Sequence, residues 1–170
     1  MTTKSEAHKE ELLSGLAETR AAILQAAAQV PPEARDTAFL GTWSLKDLLA
    51  HLAGWDVTNL EAAKDIQAGV LPSFYAHHDK GWKSYNAGLV AKYRREDFEE
   101  LLALVRESHQ QLISHLESLP GETFEQDFGV RSPRGFKVTI ARLLRAEWQD
   151  EVEHLQQIKE FALGTKSARG

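Results

Sequence analysis

Histidine and carboxylate residues interrupt the apolar faces of two helical stretches, where an unpaired ionisable group is costly and so marks a place to look for chemistry. Leu48, His51, Leu52 and Trp55 are related by steps of three and four, so His51 points the same way as its apolar neighbours. Further along, a stripe that begins at Leu144 continues through Glu147, Glu151 and His154 to Ile158, with Asp150 one turn before His154.

Residues four apart on a helix have Cβ atoms about 5–6 Å apart. Asp150 and His154 can therefore reach one divalent cation, with His51 as a third ligand from a neighbouring helix. Two imidazoles and a carboxylate leave a coordination position open to water or substrate, the layout of a catalytic metal site. Such a metal lowers the pKa of bound water or polarises an electrophile. Nickel, zinc, iron and manganese all suit this donor set. Glu147 or Glu151 would then act as base or hold a ligand in place. A plainer alternative has His51 as a hydrogen-bonded core histidine and Glu147, Asp150 and Glu151 as one solvated helix face.

Trp55 and His109 are the candidates for contact with a substrate. His109 interrupts a leucine seam, where it would line a pocket, bond a carboxylate of the last helix, or form a tolerated polar layer. Trp55 is equally readable as a core anchor. His77 and His78 sit in an irregular stretch as an exposed pair or a lid, and Arg131 and Arg134 flank Pro133 as a solvated loop or an anion clamp. There is no glycine-rich phosphate loop, no G-x-S-x-G and no H-E-x-x-H.

The elements that must position these groups are helices. Proline and glycine cluster at 30–32, 69–72 and 119–121 and divide the chain. Leu12, Leu16, Ile23, Ala27 and Val30 predict a first helix over about 5–29. Ser44 is a good N-cap with Asp47 three residues on, and Trp43 and Leu48 stand at the positions of a hydrophobic staple. The second helix then runs from Leu45 to a stop near Gly69. Residues 72–93 read as a loop and a short helix. Phe98, Leu102, Val105, His109, Leu112, Leu116 and Leu119 alternate steps of four and three, a packing seam on a third helix over 96–118. Residues 120–136 read as an irregular connection and 138–162 as a fourth helix. Four amphipathic helices without a strand series predict an all-α four-helix bundle.

The 170 residues suit a single domain, 1–170, and 42% hydrophobic with 26% charged residues is the balance of a globular chain with a real core. The longest apolar run, the five residues 101–105, is too short for a bilayer. The opening MTTKSEAHKEELL lacks an apolar stretch behind a basic head, so no secretory signal is expected. Without cysteine there are no disulfides and no thiolate nucleophile, which suits a cytoplasmic setting. Net charge is −5 with basic residues scattered, which argues against nucleic acid and leaves a small molecule or a protein as partner.

Two stretches carry a family resemblance. TWSLKDLLAHLAGWD (42–56) resembles the second helix of the DinB/YfiT-like superfamily, and EWQDEVEHLQQI (147–158) resembles its last. Within that superfamily GWKSYNAGLV (81–90) looks most like the ClbS/DfsB branch. The resemblance implies a bundle of up-down-down-up topology, often a homodimer. Metal-binding members hold a divalent cation with one histidine of helix two and two of helix four, which here correspond to His51, Asp150 and His154. Aspartate at 150 departs from that pattern, which alters the metal preference or marks a branch without metal. Some members transfer low-molecular-weight thiols to electrophiles. The ClbS-like branch includes a protective hydrolase that opens a cyclopropane with water in a reaction read as metal-independent. The expectation is therefore an enzyme acting on a small electrophile by thiol transfer or hydrolysis, with a metal-free hydrolase or a non-catalytic dimeric ligand-binding stress protein as the alternatives.

Overall fold

A computed structural model describes residues 1–77 and 81–169; His78 lies outside them. The helices are α1 (Lys4–Gln29), α2 (Leu45–Gln67), α3 (Lys83–Tyr93), α4 (Phe98–Glu117), α5 (Gly121–Glu125) and α6 (Ile140–Arg169), with 3-10 turns at Pro32–Ala34 and Ser73–His77. Among the described residues no strand forms, and isolated bridges join Leu40 to Trp43 and Arg131 to Lys137. The start of α2 is the capping box expected from Ser44 and Asp47: each side chain bonds the other residue's backbone N–H.

Two apolar cores set the topology. One gathers Ile23, Ala27 and Val30 of α1, Leu45–Leu52 of α2, Leu101–Val105 of α4, and Ile158 of α6. The other gathers Leu12 and Leu16, then Ala63 and Ile66, then Leu112 and Leu116, with Ile140 and Leu144. Thus α1 and α6 run from the second core to the first, whereas α2 and α4 run from the first to the second. That is an up-down-down-up bundle. Because α2 and α4 are parallel neighbours, the chain must travel back between them, and residues 68–97 with α3 make that return.

The return segment also builds a third apolar cluster, Trp55 and Ala62 of α2 with Phe74 and Leu89. Gly54 permits it, since a Cβ there would stand 2.8 Å from the Leu89 Cβ. Trp82 caps α3 in the left-handed region (φ 64°), a conformation that costs a non-glycine residue about 1 kcal/mol or more and here places the indole against Phe74 and Tyr75.

Two boundaries differ from the sequence reading. Residues 120–136 contain the five-residue α5, which seats Gly121 against the backbone of Glu6 and buries Phe124. One turn is too short to show a periodicity. The last helix continues to residue 169, seven residues beyond the expected end. No helix of the described residues is long and apolar enough to cross a membrane.

Candidate active site in the polar layer

Between the two cores each long helix contributes polar side chains at one level: Arg20 from α1, Asp56 and Asn59 from α2, Ser108 from α4, Glu147 and Glu151 from α6. Arg20 is 2% exposed. Its two terminal nitrogens donate to the two oxygens of Asp56 at 2.8 and 2.9 Å, and its Nε donates to Glu151 Oε1 at 2.5 Å. Ser108 Oγ donates to Asp56 Oδ2 at 2.7 Å. Burial opposes the charge on Arg20, but Glu151 and Asp56 more than offset it and raise its pKa. Two acids share one cation, so the cluster carries an excess of negative charge wherever both are ionised.

Glu147 stands one turn before Glu151 and is 8% exposed. Burial, then the neighbouring Glu151 and Asp56, push its carboxyl up to about 8, against the weaker pull of Arg20. At neutral pH it keeps its proton. It lies on the wall of a cavity of about 910 Å³ shared by His51, Trp55, Asn59 and Asp150, with Phe74, Tyr75 and Trp82 as an aromatic side. Trp55 Nε1 donates to Asn86 Oδ1 at 2.7 Å, which fixes its indole. Arg134, Lys137 and Arg142 line the same cavity. The arrangement is a proton donor on the wall of a cavity with one aromatic and one basic side, suited to protonating a leaving atom or a carbonyl oxygen.

The residues singled out from sequence fall at different distances from this cavity. His51 is buried, and burial, then His154 and Arg20, bring its pKa down to about 3, so it is a neutral imidazole. Its Nδ1 has no hydrogen-bond partner, so it is not the bonded core histidine of the plainer alternative. The His51 and His154 rings meet edge-on with centroids 5.4 Å apart, and His154 Nδ1 lies 2.8 Å from Gln157 Oε1. Asp150 is exposed on the cavity wall. Among the described residues no three His, Asp or Glu side chains converge as a metal-ligand set.

Glu147 and Glu151 are buried, so the solvated-face alternative fails for both. Glu151 is 1% exposed, held by Arg20, and off the cavity wall. His109 is also off that wall, with both ring nitrogens lacking partners and its pKa lowered to about 4 by burial and then by Arg20. His77 is exposed in its 3-10 turn, its ring beside Tyr85. Arg131 pairs with Asp127 outside the cavity, whereas Arg134 lines it.

Sequence reasoning missed Arg20 and Asn59. Arg20 follows Leu16 by four and precedes Ile23 by three, so the rule that found His51 also selects it. Asn59 follows Trp55 by four and precedes Ala62 by three, so the same rule selects it as well.

The fold is shared with a solved structure. YfiT from Bacillus subtilis, described as a probable metal-dependent hydrolase with an unusual four-helix bundle topology, superposes with a TM-score of 0.69 at 19% identity, covering 98% of this chain and 91% of that one. No protein of curated function matches the sequence. The family model of the DinB superfamily matches residues 10–158, nearly the whole bundle from α1 to the packed part of α6, and the chain belongs to the DinB superfamily.

Proposed function

We propose that this protein is an enzyme that adds water, or an external thiol, to a small electrophile held in the cavity, with Glu147 as its acid. The observation that carries this reading is a buried carboxyl on the wall of a cavity with an aromatic side, where burial and the neighbouring Glu151 and Asp56 favour its protonated form. The nucleophile comes from outside the protein, since the chain has no cysteine. As its oxygen or sulfur bonds to the electrophilic carbon, the bond to the leaving atom breaks and that atom takes the Glu147 proton. The proton released by the nucleophile returns to the Glu147 carboxylate. Trp55 and Phe74 hold the apolar body and exclude water. This matches the hydrolysis, independent of metal, implied by the ClbS/DfsB resemblance.

A metal is the second reading, favoured by the unpartnered Nδ1 of the neutral His51 and its contact with His154. The solved relative YfiT is described as probably metal-dependent. Among the described residues the donor set stops at two imidazoles and does not fit a metal site.

The test is turnover of a panel of epoxides, strained rings and activated esters. Glu147→Gln is expected to lower kcat by about 100-fold or more with KM little changed. Turnover that survives this change overturns the assignment. Near-stoichiometric metal in untagged protein, lost in His51→Ala, would move the chemistry to the imidazoles.

A further inference from the structure

Asn59 is 1% exposed, lies on the cavity wall, and hydrogen-bonds through neither Nδ2 nor Oδ1. Its amide is close enough to Glu147 to favour that group's charged form as a hydrogen-bonding neighbour, the weakest of the influences on that carboxyl, yet neither Nδ2 nor Oδ1 reaches hydrogen-bond geometry with any side chain or backbone group. A buried amide with both ends unmade is a standing cost that a leucine would avoid. Asp56 and Ser108 are paired within the layer, and of the unpartnered buried groups Asn59 and His51 lie on the cavity wall whereas His109 lies off it.

We propose that Asn59 is the recognition group of this cavity and that its ligand presents a neutral cis-amide edge, as in a primary carboxamide, a lactam or a urea, on a planar apolar body. A carboxamide edge offers one acceptor and one donor side by side, which meet the Asn59 Nδ2–H and Oδ1 in two parallel hydrogen bonds. An anionic head at Asn59 would stand beside Glu147, with the excess negative charge of the layer behind it. A cationic head would meet Arg134, Lys137 and Arg142 on the cavity wall. The planar body is set by Trp55, Phe74 and Trp82, whose rings meet edge-on at 5.3 Å across Phe74. This inference rests on the reading of the cavity as the active site, and it names the substrate class.

The experiment is a fluorescence titration at pH 6.5, read from Trp55 and Trp82, with naphthalene-2-carboxamide, naphthalene-2-carboxylate, naphthalene-2-carboxamidine and naphthalene. The carboxamide is expected to bind about 10-fold or more tighter than the other three, because only it fills both bonds of Asn59. Asn59→Leu, checked by thermal melting, is expected to bring the carboxamide down to the level of naphthalene and leave naphthalene unchanged. Equal affinities, a tighter carboxylate or amidine, no binding of any probe at millimolar concentration, or a preference that survives Asn59→Leu overturns the proposal. The wild-type series decides the matter if the leucine variant does not fold. Absence of the preference in the wild type, while turnover still needs Glu147, removes the amide assignment alone. A preference that persists while Glu147→Gln turns over normally removes the acid assignment alone.

Discussion

The two halves of the polar layer are built from the same residue types and satisfied in opposite ways. On one side Arg20, Asp56, Ser108 and Glu151 form a closed set in which each polar side chain has a partner at 2.9 Å or less. On the other, Asn59 and the Nδ1 of His51 have none, and Glu147 avoids the cost of a buried charge by keeping its proton. The closed half holds α1, α2, α4 and α6 in register, while the open half borders the cavity. Burial alone therefore does not distinguish a structural polar group from a functional one; an unmade hydrogen bond counts where it also faces the cavity, as at Asn59 and not at His109.

The largest effect should come from breaking the closed half. Arg20→Met leaves Asp56 and Glu151 buried without a cation and is expected to cost about 3–5 kcal/mol in denaturant unfolding. A loss below about 1 kcal/mol would mean that water reaches the cluster and that the two halves differ less than their geometry indicates.

Glu147 should give a stability that depends on pH. Below its ordinary value of 4.5 folded and unfolded chains both hold the proton, and between there and about 8 only the folded chain does. Stability contributed by this group is thus full at low pH and falls as pH rises through that window, by up to about 1.4 kcal/mol per unit. Comparing melting curves of wild type and Glu147→Gln from pH 5 to 8 isolates this slope, and parallel curves would place Glu147 among ordinary surface acids.

Gly54→Ala should sharpen the cavity's side of the comparison. The new methyl meets Leu89 and displaces α3, at a cost of about 1–3 kcal/mol, with a red shift of tryptophan emission as Trp55 loses its cover. The smallest effect runs the other way. Asn59→Leu removes an unsatisfied amide and is expected to stabilise the protein by about 1 kcal/mol, seen as a higher Tm. A lower Tm would show that Asn59 is bonded in solution and belongs with the closed half.

Much of the bundle was legible because helices leave local marks. The Ser44–Asp47 box, the seam from Phe98 to Leu119 and the proline–glycine breaks are all contained in short windows of sequence. Glu147 was legible as an acid on an apolar stripe, and Arg20 would have been by the same rule. Asn59 follows Trp55 by four and precedes Ala62 by three, so it too stands on the apolar stripe; what no local window shows is whether its amide finds a partner.

The sequence by itself determined where the helices run and that His51, Glu147 and Glu151 stand on apolar stripes, because both follow from the 3.6-residue period and from capping within a few residues. Only the tertiary structure decided which of those groups find partners. Arg20 meets Glu151 across 131 residues, and Glu147 is left beside an occupied guanidinium. Pairing depends on how the four helices are rotated about their axes and in what order they pack, which no local window contains. That difference separates a carboxylate that holds the bundle together from one that is free to give up a proton.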